Sequence, residues 1–163
     1  MKRYSFLVVA LLLGFAACED HSSADSATMD TSAMHHEGAA SADLPAMEPI
    51  PDQARVFFKN IQNNSIVHSP FIVEMGVEQM SVDTANGKIK PASGHHHILI
   101  GLDSITAGTV VPKDSTHLHF GNAQTTAEIK LPPGTYKLSL QFADALHRSY
   151  GGRLTSTVSV KVE

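Results

Sequence analysis

Ten histidines and a single cysteine distinguish this chain of 163 residues, because the histidines are grouped. Three are consecutive, two flank a leucine and one stands alone further along; these are His95, His96, His97, His117, His119 and His147. Neutral imidazole is the commonest protein ligand for transition metals. The grouping therefore predicts a metal site, with copper or zinc as the ion.

The spacing within two of these groups suits metal binding on a β-strand. Side chains at positions i and i+2 of a strand point to the same face, about 6.6 Å apart along the axis. His95 and His97 are spaced in this way, and so are His117 and His119. Two such imidazoles can converge on an ion about 2.0 to 2.1 Å from each nitrogen. His96 points to the opposite face, and we expect it to pack against the protein or to face outward.

The segments that must position these histidines have the pattern of half-buried strands. Apolar and polar residues alternate through 136–142 and 154–162, and a third apolar face runs through 71–77. Gly, Pro and Asn interrupt the pattern at short intervals, and apolar residues at helical spacing do not occur in this region. Six or seven short strands in about 110 residues predict an all-β fold, an immunoglobulin-like β-sandwich of about seven strands.

One turn provides the strand labels. Residues 131–136 join two predicted strands through Pro-Pro-Gly and place Tyr136 at the start of the second strand. A tyrosine in this position is typical of the tyrosine corner between the fifth and sixth strands of such sandwiches. Counted from this corner, the predicted strands are A at 55–68, B at 71–77, C at 96–102, D at 117–119, E at 125–131, F at 136–142 and G at 154–162.

Strand direction then predicts where the histidines meet. When consecutive strands alternate in direction, the B to C, D to E and F to G connections gather at one end of the sandwich. The first histidine group closes the B to C connection, the second leads into the D to E turn, and His147 lies in the F to G loop. By the same rule His68 belongs to the opposite end. The predicted metal ligands are therefore His95, His97, His117, His119 and His147.

The first 17 residues have the composition of a signal peptide. A positively charged start precedes an apolar run from Phe6 to Phe15, which is shorter than the roughly 20 residues that cross a bilayer. The residues 15–18, Phe-Ala-Ala-Cys, resemble a bacterial lipobox. That resemblance implies cleavage before Cys18 and lipidation of its thiol, and hence a lipid anchor in a membrane of the bacterial cell envelope, facing the periplasm or the cell surface. An ordinary secretory signal is the alternative.

Residues 18–51, which begin with the lipidated cysteine, are predicted to form a flexible tether, and residues 52–163 are predicted to form a single domain. The tether has no hydrophobic period and no Phe, Tyr or Trp, so it cannot bury enough apolar surface to offset the entropy of ordering. The tether also contains methionines and histidines that resemble the segments of periplasmic copper-handling proteins, and thioether is a soft ligand suited to Cu(I). The simpler interpretation of the tether is a disordered spacer with chance methionines. The residues in question are Met29, Met34, His35, His36 and Met47.

Charge and motifs exclude several classes of function. A formal net charge of −4 argues against nucleic acid as a partner. The chain has no Gly-rich phosphate loop, no His-Glu-x-x-His and no Gly-x-Ser-x-Gly, so we predict no catalytic residues and regard an enzyme as less expected than a binding protein. The rival to a metal-binding protein is an interaction module that presents the same loops to an envelope polymer or a partner protein.

Residues 93–100, 117–121 and 131–138 are followed by Asp144 with His147. In this order, these strings resemble the bacterial family known as domain of unknown function 4399, and the resemblance extends over about 69–162. The resemblance implies that the protein resides in the bacterial cell envelope. The family carries no established activity. The chain departs from the family pattern in three places: the turn at 121–124 is less Gly-rich, a tyrosine replaces a histidine at position 136, and a second histidine is missing after position 147.

Overall fold

Short strands separated by turns make up residues 44–163, the part of the chain that the computed structural model describes. The predicted signal peptide, Cys18 and the tether as far as residue 43 lie outside the described residues. Within 44–163 no helix is long and apolar enough to cross a bilayer. A short 3-10 helix spans Gly151–Leu154. The strands are β1 Arg55–Phe58, β2 Ser65–Val67, β3 Phe71–Glu78, β4 Ser81–Val82, β5 Ser93–Ile100, β6 His117–Phe120, β7 Thr126–Ile129, β8 Gly134–Ala143 and β9 Thr155–Val162.

The strands form two sheets. The smaller sheet has the order β1-β3-β7, and the larger sheet has the order β2-β9-β8-β5-β4, with β6 also paired to β5. β5 and β8 are antiparallel over six residue pairs, and β8 and β9 over eight, so these three strands form the centre of the larger sheet. β5, the strand that carries His95, His96 and His97, therefore lies in the most extensively paired part of the fold.

The predicted all-β sandwich is confirmed. The first part of strand A, here β1, forms one sheet with strands B and E. Strands C, F and G lie in the other sheet, as in immunoglobulin-like domains. Two details differ from the prediction. Segment A is divided into β1 and β2, which belong to different sheets, and the short strand β4 was not predicted. Strand D, here β6, pairs with β5 of the larger sheet.

Apolar side chains from both sheets meet in one core. Each fully buried aliphatic or aromatic side chain of this kind contributes about 1.5 to 3 kcal/mol to the free energy of unfolding. Tyr136 packs against this core, and its hydroxyl donates a hydrogen bond to the Pro132 carbonyl over 3.1 Å, which confirms the tyrosine corner. The fully buried core members with the largest side chains are Met75, Ile98, Leu138, Leu140, Phe142 and Leu154.

The outer face of the larger sheet is also covered. The connection between β5 and β6, residues 101–116, crosses this face and packs Val111 against Leu99 and Ala143. Ser139 and Gln141, which alternation along β8 predicts to face solvent, are instead fully buried. The Ser139 hydroxyl donates to the Leu102 carbonyl over 2.6 Å, and the Gln141 side-chain oxygen accepts from the Ile105 amide over 3.0 Å. We call residues 101–116 the covering segment.

Residues 44–51, assigned from sequence to the tether, contact the domain. Met47 and Ile50 pack against the sandwich core. The Pro45 carbonyl accepts a hydrogen bond from the Arg148 guanidinium. Residues that precede Asp52 therefore pack on the domain, and the chain enters the fold beside the loop that carries His147.

Candidate metal centre

Two neighbouring strands present histidines to the outer face of the larger sheet. Inward-facing Ile98 fixes the orientation of β5, because side chains alternate along a strand and His95 and His97 must then point outward. β6 pairs with β5 so that His119 lies directly opposite His97. Directly paired residues have Cβ atoms about 4.5 to 5.5 Å apart, close enough for their imidazoles to converge.

The four imidazoles of this cluster lie within a few ångströms of one another. His95 Nε2 and His97 Nε2 are 2.9 Å apart, and His119 Nε2 and His147 Nε2 are 3.1 Å apart. Ring centroids are separated by 4.8 Å between His119 and His147 and by 5.1 Å between His95 and His119. We call His95, His97, His119 and His147 the histidine cluster.

The spacing of nitrogens in the histidine cluster fits coordination of one ion. Ligand atoms of His95, His97 and His119 all lie within 4.8 Å of one another, so this trio could hold a metal. Two nitrogens bound to the same ion at about 2.0 to 2.1 Å lie about 2.9 Å apart at a right angle and about 3.4 Å apart in a tetrahedron. The observed 2.9 and 3.1 Å separations fall in this range. His147 adjoins the trio through its contact with His119.

Burial keeps the imidazoles of His95, His97 and His119 in the neutral form that metals require. Desolvation, with a smaller effect of the neighbouring histidines, lowers the pKa of His97 to about 2 and the pKa of His95 to about 3. Burial also lowers the pKa of His119. His119 and His147 are only half-buried, so the cluster reaches solvent on their side.

A buried ion pair shapes the loop that carries His147. The Arg148 Nε donates to Asp144 Oδ2 over 2.7 Å, and both side chains are almost completely buried. Asp144 Oδ1 also accepts from the backbone N–H groups of Leu146 and Arg148, each over 2.9 Å. His147 itself adopts a φ of 64°, in the left-handed region that costs a side-chain-bearing residue free energy. Asp144 therefore holds the turn that brings His147 to the cluster.

The other sequence-predicted residues lie elsewhere. His117 is on the same face as His119, but its Nδ1 is 2.8 Å from Asp114 Oδ1 and it is not one of the trio. His68 is exposed and follows β2 at the far end of β9, away from the cluster, as strand direction predicts. The sequence did not lead us to predict the buried ion pair of Asp144 and Arg148. The available signal was the presence of opposite charges four residues apart in a loop.

Gly121 leaves the room that the His119 ring occupies. A Cβ at this position would overlap Cε1 and Nε2 of His119. Because those atoms are the end of a side chain that can rotate away, we expect Gly121→Ala to change the free energy of unfolding by less than about 1 kcal/mol while weakening metal binding at least about tenfold. Calorimetric titration with metal measures the affinity of the variant, and urea denaturation without metal measures its free energy of unfolding. Gly152→Ala, where the added Cβ meets only ordinary contacts, is the matched control, and equal affinities in the two variants would contradict a role for His119.

His96 points into the sandwich core rather than toward the cluster. It is fully buried, its ring lies 5.0 Å from that of Phe142, and burial lowers its pKa to about 4. Neither ring nitrogen has a hydrogen-bond partner among the described residues. An unpaired buried polar group costs about 1 to 3 kcal/mol.

Replacing His96 should therefore stabilise the domain. We expect His96→Leu, a change of similar volume, to raise the free energy of unfolding by about 1 to 2 kcal/mol and to leave metal affinity unchanged. Urea denaturation of the metal-free protein measures the change, with the exposed His68→Leu as a control near zero. A loss of stability at His96 would show that its ring nitrogens have partners.

Comparison with known proteins identifies the family but not a function. Neither the curated proteins nor the solved structures contain a match to this chain. A family model described as a domain of unknown function, DUF4399, matches residues 73–163, which include β5, β6 and the whole histidine cluster. The match covers more than half of the chain, so this protein belongs to the DUF4399 family.

Proposed function

We propose that this protein binds a transition-metal ion, copper or zinc, through the histidine cluster. The convergence of His95, His97 and His119 carries the proposal, because their ligand atoms all lie within 4.8 Å of one another and such a group could hold a metal ion. Lowered pKa values keep the imidazoles unprotonated at neutral pH, which removes competition from protons. The half-buried His119 and His147 provide the side from which an ion enters.

The close contact of two imidazoles fits a shared ion. Two imidazole Nε2 atoms 2.9 Å apart repel each other unless one carries a hydrogen or both bind the same cation. A cation bound to both Nε2 atoms takes the place of that hydrogen, so the short separation supports metal binding as the role of the cluster.

Thermal melting during metal titration tests this proposal. The protein is melted alone and with increasing Zn(II), Cu(II) or, under reducing conditions, Cu(I). A ligand present at a thousand times its dissociation constant stabilises the folded state by about 4 kcal/mol, so a large rise in melting temperature is expected with at least one ion. If no ion raises the melting temperature, the interaction module, binding an envelope polymer or partner protein, becomes the better account.

We further propose that lipidation of Cys18 anchors the protein in the cell envelope. The string Phe15-Ala16-Ala17-Cys18 supports this proposal, since it closes an apolar stretch of signal-peptide length. In a lipid-anchored protein, the histidine cluster would meet metal ions outside the cytoplasm.

Replacing Cys18 tests the anchor. We expect Cys18→Ser to move the protein from the membrane fraction to the soluble fraction, because the thiol is the predicted attachment point. Immunoblots of the two fractions after a high-salt wash measure the distribution, and Ser22→Ala is a control that should stay with the membrane. A Cys18→Ser protein that still sediments with membranes would rule out lipidation as the cause of attachment.

A further inference from the structure

We infer that the histidine cluster selects a monovalent ion, Cu(I), over divalent Zn(II). This inference rests on the proposed function and specifies the charge of the ion. The relevant observation is electrostatic: the cluster combines neutral ligands with burial, and the carboxylates on the histidine-bearing turns of the described residues are already paired.

The ligands themselves contribute no negative charge. A neutral imidazole binds a metal through a nitrogen lone pair and leaves the charge of the ion in place, whereas a thiolate or carboxylate ligand cancels one unit of it. The trio of ligands within 4.8 Å consists of histidines alone. The ion would therefore keep its full charge inside the protein.

Asp144 and Asp114, the carboxylates on the turns that carry His147 and His117, are already paired. Asp144 accepts hydrogen bonds from the Arg148 guanidinium and from two backbone N–H groups. Asp114 accepts from Thr116 and contacts His117 Nδ1. Neither carboxylate is free to turn toward an ion without losing these partners.

The inner ligands also lack hydrogen-bond acceptors. A metal-bound histidine normally donates its second ring N–H to a carboxylate or carbonyl, which spreads positive charge away from the ion. His95 and His97 are almost completely buried, and neither Nδ1 has a partner among the described residues. These two ligands would thus disperse little of the charge of the ion.

Charge then decides between the ions. The cost of placing an ion in a medium of low dielectric constant rises with the square of its charge, so a divalent ion costs about four times as much as a monovalent ion of the same size. Imidazole suits both copper and zinc, and the donor type alone does not separate them. The uncompensated environment therefore favours Cu(I).

Competition with colorimetric chelators measures the selectivity. The protein is titrated anaerobically with Cu(I) against a cuprous chelator, and with Zn(II) against a zinc chelator, and the two dissociation constants are compared. We expect the wild-type protein to bind Cu(I) more tightly than Zn(II). Tighter binding of Zn(II) would overturn the inference while leaving the proposed metal site intact, whereas binding of neither ion would overturn the proposed function.

A pair of variants isolates the effect of charge. His147→Glu adds a negative ligand at a half-buried position beside the trio, and His147→Gln is the neutral control of the same shape. Because one carboxylate attracts a divalent ion twice as strongly as a monovalent ion, the ratio of Zn(II) to Cu(I) affinity should be about 10- to 100-fold higher in the Glu variant than in the Gln variant. Equal ratios in the two variants would overturn the inference.

Folding of both variants is checked by melting without metal. If either variant is unfolded, the same pair of substitutions is made at His117, which lies on the same face of β6 as His119 but outside the trio. The same difference in ratio is expected there, and equal ratios at His117 would again overturn the inference.

Discussion

His97→Ala and His119→Ala should each abolish the rise in melting temperature that a bound metal causes. Both residues belong to the trio whose ligand atoms lie within 4.8 Å of one another, and each substitution leaves only two of these three ligands. A stabilisation of about 4 kcal/mol at a thousand times the dissociation constant should fall close to zero. Melting each variant with and without metal isolates this difference from the cost of truncating a buried side chain.

Two other histidines provide the controls. His117→Ala removes an imidazole that contacts Asp114 from the same strand as His119, and we expect most of the metal-dependent stabilisation to remain. His68→Ala, at the far end of the sandwich, should leave it unchanged. Loss of the metal effect in the His68 variant, with retention in the His97 and His119 variants, would show that the site lies at the other end.

Asp144→Ala should lower the free energy of unfolding by about 3 to 5 kcal/mol, because it leaves the buried Arg148 guanidinium without its charged partner. The variant also loses the two hydrogen bonds that Asp144 accepts from backbone N–H groups of the loop. The left-handed conformation of His147 is then no longer enforced, so metal affinity should fall as well. Urea denaturation and metal titration of the same preparation measure the two effects.

The exposed ion pair of Asp103 with Lys137 is the matched control. Its nitrogen and oxygen are 2.8 Å apart, much like those of Asp144 and Arg148, but both side chains are largely exposed. Exposed pairs of this kind contribute at most about 1 kcal/mol, so Asp103→Ala should change stability little. Similar losses in the Asp144 and Asp103 variants would contradict the buried role of Asp144.

Strand geometry and sandwich topology made parts of the site predictable. The spacing of His95 and His97 determines a common face, because side chains alternate along a strand. The alternation of strand direction predicted that His119 and His147 lie toward the same end, and their imidazoles do lie beside this pair. The tyrosine corner at Tyr136 was recognisable because a short turn and one side chain define it.

The rest depended on long-range packing. Alternation along β8 predicts that Ser139 and Gln141 face solvent, but the covering segment buries them, and no periodic pattern in 101–116 signals that it will do so. His117 and His119 have identical spacing to His95 and His97. They differ because the turn at Asp114 engages His117, a contact set by loop conformation rather than by strand period.

X-ray absorption spectroscopy of the metal-loaded protein detects the ligands of the bound ion directly. We expect one ion per chain, surrounded by three or four nitrogens at about 2.0 to 2.1 Å with the multiple scattering of imidazole rings and without a sulfur shell. Replacing His97 with alanine should remove that shell. A sulfur neighbour at about 2.3 Å, or a shell of oxygens without imidazole scattering, would contradict a metal site built from the histidine cluster.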